Sequence, residues 1–294
     1  KLKSAGEQLL AVINDILDYS KLEAGNFTVA ISMGWMGDDW ASQQLIGLKE
    51  TFEKLGIEVV AETNANWDDM WLHEGFGSYM QPLYLQWLRG DMEYMAALMK
   101  QRAALVNKYP VISGRGLPEN AVYAAGQGPG NDTYYKGSLM LHTLRGLIGD
   151  EAFFRATREL VYGTDAPRPG NFEPRHASTD DFIAIVNRLT GEDLRWFFDG
   201  YLRSAALPEL LATRDAEGLA LRWKTTGDKP FPLPVQVRVG DRIVDVAMKD
   251  GHGRVALPAG ASYTLDPHSR VLRDLPHIAE FQRDTADRAK AAAE

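Results

Sequence analysis

The run Trp67-Asp68-Asp69-Met70-Trp71-Leu72-His73-Glu74-Gly75-Phe76-Gly77-Ser78-Tyr79 decides how the rest of the chain is read. It contains the only His-Glu pair, His73-Glu74, and the residue four positions after His73 is Gly77. The six histidines are His73, His142, His176, His252, His268 and His277, and no two of them stand four apart. A zinc-binding H-E-x-x-H helix needs histidines at i and i+4 on one face, with the intervening Glu as general base. Neighbouring helical residues point about 100° apart, which works against His73 and Glu74 sharing one metal ion. A stable zinc site takes three protein ligands and keeps a position open for water.

A second informative run is Asn131-Asp132-Thr133-Tyr134-Tyr135-Lys136-Gly137-Ser138-Leu139-Met140. Together the two runs resemble zinc aminopeptidases of the aminopeptidase N type, which carry W-x-D-x-W-L-N-E-G-F-A and Y-x-K-G-A segments. The resemblance implies that Glu74 is the third zinc ligand. It also implies that Tyr134, placed by its distance from Lys136-Gly137, donates to the oxyanion formed when water attacks the scissile peptide carbonyl. Such donors are worth a few kcal/mol in a dry site. The family's H-E-x-x-H helix, which supplies the other two ligands and the base, has no counterpart here. Zinc is therefore the implied cofactor and a peptide the implied substrate, but stable zinc binding is not expected, and one identifiable ligand does not make a site.

The resemblance continues downstream. Ser178-Thr179-Asp180-Asp181 reads as a capped helix start, followed by apolar Phe182, Ile183, Ile185 and Val186 and ended by Gly191. Asp193-Leu194-Arg195-Trp196-Phe197-Phe198-Asp199-Gly200-Tyr201-Leu202 and Leu207-Pro208-Glu209-Leu210 are similar to the L-x-x-F-F-x-x-W…L-P-x-L close of that family's catalytic helical domain. The helices are expected to share a core running from Trp71 and Phe76 through Leu139 and Leu144 to Phe197, with Glu74 and Tyr134 facing a common cleft.

After Pro208 the periodicity changes. Leu219-Ala220-Leu221-Arg222-Trp223-Lys224 and Val235-Gln236-Val237-Arg238-Val239 alternate with period two, and Gly240-Asp241 and Asp250-Gly251 are two-residue hairpin signals. Residues 213–275 thus predict a small antiparallel sandwich, and 276–294 a tail. The predicted fold class is α+β and multidomain: a mainly helical part over 67–212, preceded by an isolated helix and a βαβ unit, and followed by the β-sandwich-like module.

The first 66 residues read differently. Asn14-Asp15-Ile16-Leu17-Asp18-Tyr19-Ser20-Lys21-Leu22-Glu23-Ala24-Gly25 is similar to the second dimerisation helix of sensor histidine kinases, and Leu9, Ile13 and Ile16 form an apolar stripe. Residues 1–25 contain no His, so phosphotransfer is excluded, whereas helix pairing and a homo-oligomer through this segment are not. Over 26–66, strands at 27–33 and 57–61 flank a helix from Trp40 to Leu55, a βαβ unit that resembles the opening unit of periplasmic sugar-binding proteins. No G-x-G-x-x-G or G-K-[ST] is present, and two strands alone do not build a two-lobed cleft.

A net charge of -8 argues against a nucleic-acid partner. No run reaches transmembrane length and the start has no signal-peptide pattern, so a soluble chain without a membrane partner is expected, in a compartment that zero cysteines leave open. Three resemblances joined at Gly25-Asn26 and Asn66-Trp67 without linkers, in a chain starting at Lys1, lead to the expectation of a chimera of fragments. Its function would be that of a zinc metallo-aminopeptidase derivative, inactive alone for want of the H-E-x-x-H helix. The alternative is a non-enzymatic scaffold or helix-pairing protein.

Overall fold

A computed structural model describes residues 28–32, 58–62, 67–115, 117, 119–124, 126–164, 166, 177–276 and 278, the first two segments as backbone. The helices expected over 1–25 and from Trp40 to Leu55, and nearly all of the tail over 276–294, lie outside the described residues. The chain divides into two compact units, 1–64 with 166–176, and 65–165 with 177–294. In the first unit, β1 (Thr28–Ser32) and β2 (Glu58–Glu62) pair in parallel, from Thr28 opposite Glu58 to Ser32 opposite Glu62.

The second unit is mixed α+β. A 3₁₀ turn, Trp67–Asp69, leads into α1 (Trp71–Arg89) and α2 (Asp91–Ala103), which Gly90 joins at φ 87°. After these come α3 (Glu119–Tyr123), α4 (Asp132–Tyr162), α5 (Thr179–Thr190) and α6 (Arg195–Tyr201). The long α4 is broken at Gly149, whose φ of 81° and ψ of 161° are not helical, and Arg145 bridges the break with two 2.8 Å bonds to the Asp150 carboxylate. Local chemistry sets the ends of α5. The Ser178 hydroxyl accepts from the Asp181 amide while the Asp181 carboxylate accepts from the Ser178 amide, and Gly191 closes the helix at φ 74°.

The switch to strands after Pro208 is as the periodicity predicts. The strands are β3 (Glu209–Asp215), β4 (Gly218–Lys224), β5 (Val235–Val239), β6 (Arg242–Val246), β7 (His252–Val255) and β8 (Tyr263–Leu265). They form two three-stranded antiparallel sheets, ordered β3-β4-β7 and β6-β5-β8. Gly240-Asp241 turns β5 into β6, and Asp250-Gly251, both at positive φ, makes the turn before β7. The first strand starts earlier than the alternation suggests: β3 opens at Glu209, so position 213 falls inside it.

One apolar core runs through helices and sheets. The Phe231 ring is met edge-on by Trp196, Tyr201 and Trp223, at centroid separations of 5.2, 5.6 and 5.5 Å. Trp223 donates through Nε1 to the Leu233 carbonyl, and the Tyr201 hydroxyl to the Leu272 carbonyl. The polar tips of buried Trp223 and Tyr201 thus each have a partner in the interior. Trp71, Leu139, Leu144 and Phe197 are fully buried, as the sequence implies, and Phe76 is partly buried against them.

Candidate active site

The two motif-bearing helices are fastened before they present any chemistry. Asp69, at the entrance to α1, accepts from the amide and hydroxyl of Thr179 at 2.9 and 2.6 Å, and the same hydroxyl accepts from Trp71 Nε1 at 2.8 Å. Asp68 accepts from the Ser113 amide and hydroxyl. The acidic and aromatic residues of the first motif therefore hold the start of α1 against α5 and the loop that follows α2. On α4, buried Asp132 accepts from the amides of Val106 and Asn107 at 2.9 and 2.6 Å.

Where α1 crosses α4, Gly75 faces Gly137. A Cβ built on Gly75 would lie 3.0 Å from the Gly137 Cα, and one built on Gly137 would lie 2.9 Å from the Gly75 Cα. Only hydrogen fits on either side. This close approach brings together the residues flanking it, Glu74 on α1 and Tyr134 on the first turn of α4. The next residue of the second motif acts as a strut: Lys136, buried, donates through Nζ to the carbonyls of Ser204 and Ala205 at 2.8 and 2.7 Å. Burial pushes its pKa down to about 8, with Asp132 acting in the opposite direction. Ser138 donates to Gln101 Oε1 at 2.6 Å, and Gln101 donates back to the Ser78 carbonyl, which ties α4, α2 and α1 together.

Glu74 is half-buried, and its carboxylate has two phenol neighbours. The Tyr123 hydroxyl donates to Glu74 Oε1 at 3.2 Å. Desolvation raises the Glu74 pKa, while hydrogen bonding from Tyr134 and then Tyr123 opposes the rise. The phenols respond in kind: burial first, and then the charge of Glu74, pushes Tyr134 up to about 12 and raises Tyr123 well above its ordinary value. Both tyrosines are therefore neutral donors at physiological pH. Half-buried His73 has its pKa lowered by burial.

Tyr123 has no place in the sequence-based expectation. The chain between it and Tyr134 contains Gly126, Gly128, Pro129 and Gly130. Gly130 donates to the Val122 carbonyl at 2.9 Å, and Gly128 lies so close that a Cβ there would sit 2.2 Å from the Ala121 carbonyl oxygen. The loop is thus folded flat onto α3, which sets the Tyr123 ring 6.1 Å from that of Tyr134. The glycine run between two tyrosines is the signal that could have found it.

The donor set does not fit a zinc ion. Zinc takes thiolate, imidazole and carboxylate ligands, whereas Glu74 is accompanied by two high-pKa phenols. Among the described residues, no group of three or more His, Asp or Glu side chains is placed to hold a metal. What the arrangement can do by itself is hold a half-desolvated carboxylate in a fixed position with two hydroxyl donors beside it.

The fold and site define a mixed α+β protein whose helical part carries this carboxylate–phenol cluster at a helix crossing. Residues 61–201, just under half of the chain, match the model of the peptidase family M1 domain, which supports a peptidase-family origin for that part. The match begins inside β2, before Trp67, and ends with α6. A comparison with curated proteins gave no match.

Proposed function

We propose that the chain derives from a zinc metallo-aminopeptidase and that, taken alone, it does not turn over peptide substrates. The observation that carries the reading is the convergence of Glu74 and Tyr134 at the Gly75–Gly137 crossing, within the stretch that matches a peptidase domain. In this reading Glu74 stands where a zinc ligand belongs and Tyr134 where an oxyanion donor belongs. The substrate class is a peptide with a free amino terminus.

Inactivity follows from what the chain's side chains leave out of the reaction. Zinc makes a nucleophile of its bound water, lowering the pKa to about 7, when three protein ligands hold it. The sequence has no histidines four apart, so neither the other two ligands nor the general base between them is supplied. A positioned Tyr134 hydroxyl stabilises an oxyanion only after one has formed.

The test is hydrolysis of an aminoacyl chromogenic substrate with zinc added, alongside direct metal analysis of the chain. The reading expects no turnover above that of a Glu74→Ala, Tyr134→Phe double variant, and no stoichiometric zinc. Turnover that this double variant abolishes would overturn the claim of inactivity and require ligands other than an H-E-x-x-H helix.

A further inference from the structure

Between its exposed charges, α2 presents an apolar stripe to water. Met92 is 85% exposed and Met99 38% exposed, and with Ala96 and Ala103 they repeat at intervals of four, three and four residues. The opposite face, carrying Tyr94, Leu98, Gln101 and Arg102, is the buried one. A 3-4 repeat of apolar residues is the seam of a helix pair. Trp87 and Leu88, each about half exposed, come just before α2 at the end of α1.

The charges beside this seam select the occupant. Glu93 and Lys100 are both exposed and stand seven residues apart, which places them on the same edge of the stripe. The first turn of α2 is acidic, with Asp91 and Glu93, and its last turn is basic, with Lys100 and Arg102. Laid parallel about a two-fold axis, the Glu93 and Lys100 edges of the two helices would lie on opposite sides of the seam, and neither residue would meet its opposite charge. Laid antiparallel about a two-fold axis, each Glu93 meets the Lys100 of the other copy, and the symmetry makes both contacts at once. Ala96 and Ala103 leave room for the Met92 and Met99 side chains of the opposing helix.

We propose that this face pairs antiparallel with the same face of a second copy of the chain. A helix of this length extends about 20 Å, and its one stripe covers less than the roughly 800 Å² per partner of a standard interface. The pair is accordingly weak and concentration-dependent. This inference is independent of the peptidase reading and of residues 1–25.

Analytical ultracentrifugation of the full chain from about 1 μM to about 1 mM spans the relevant range of affinity. The weight-average mass is expected to climb from 32.7 kDa towards twice that value. Met92→Glu, at a position 85% exposed, leaves the fold intact and holds the chain monomeric. Lys100→Glu and Glu93→Lys singly weaken association roughly tenfold, because each turns two attractive contacts repulsive, while the double exchange Glu93→Lys, Lys100→Glu recovers wild-type association. A chain that stays monomeric throughout, association indifferent to Met92→Glu, or a double exchange no better than either single one would each overturn the proposal.

Discussion

Gly75 and Gly77 lie two residues apart on the same helix, and the same substitution should have opposite effects at the two. Ala is favoured over Gly within a helix by about 1 kcal/mol. At Gly77 an added methyl meets nothing within 4 Å, so the full gain should appear. At Gly75 the methyl would lie 3.0 Å from the Gly137 Cα and 3.2 Å from its carbonyl carbon, both backbone atoms that cannot rotate away. The helices must separate, and overpacking of this kind costs about 1–3 kcal/mol. The propensity gain is common to both variants and cancels on comparison. Gly77→Ala should therefore exceed Gly75→Ala in stability by about 1–3 kcal/mol, with Gly77→Ala above wild type. Urea unfolding followed by circular dichroism measures this, since a shift in midpoint at constant slope reports stability alone. If both variants shift the midpoint upward by the same amount, α1 and α4 do not cross at these glycines, and the account of how Glu74 reaches Tyr134 fails with it.

Buried His142 makes stability depend on pH. The Ser269 carbonyl can only accept, so His142 Nε2 donates to it and Nδ1 accepts from Tyr94, which in turn accepts from Tyr79. Burial pushes the His142 pKa down to about 4 from an ordinary 6.5. The stability it contributes is complete above pH 6.5 and is lost as pH falls towards 4, by roughly 3 kcal/mol over the whole window; urea midpoints across that range should show a decline that His142→Gln flattens. Asp69→Ala strands the Thr179 amide and hydroxyl in the interior and should cost about 2–3 kcal/mol. Ser178→Ala removes an exposed capping box and should cost about 1 kcal/mol, so thermal unfolding that ranks Ser178→Ala as the more damaging would contradict the burial of the Asp69 contact.

What could be read in the sequence was local. The Ser178–Asp181 box, the stop at Gly191 and the turns at Gly240-Asp241 and Asp250-Gly251 depend on backbone groups within a few residues, so the sequence states them directly. The pairing of Gly75 with Gly137 depends on two distant segments, and neither glycine differs locally from one that is merely tolerated, as Gly77 is. The start of strand β3 is not legible because its residues do not alternate: Leu211 and Ala212 are both half-buried, and the strand follows Pro208 directly. Phe231 lies in Lys229-Pro230-Phe231-Pro232-Leu233-Pro234, where prolines erase any period, and only the assembled core shows that three aromatic rings converge on it. Glu74 and Tyr134 could be picked out by resemblance, whereas Tyr123 needed the loop to fold.

The supports of the Glu74 cluster are all ordinary interior interactions: a glycine–glycine crossing, the Lys136 strut, the Asp69–Thr179 clamp and the Asp132 anchor. At the cluster itself, Tyr134 and Tyr123 oppose the upward push of desolvation on Glu74. Replacing both phenols by phenylalanine would remove that opposition and leave a half-desolvated carboxylate without these donors. Replacing Glu74 by Gln in the same background would remove the charge while keeping the shape. The Glu74→Gln change should therefore be better tolerated in the Tyr123→Phe, Tyr134→Phe chain than in wild type, a coupling that a double-mutant cycle reads directly. Equal effects in the two backgrounds would mean that the phenols and the carboxylate are neighbours without being partners, and that Tyr123 and Tyr134 do not stabilise the Glu74 charge.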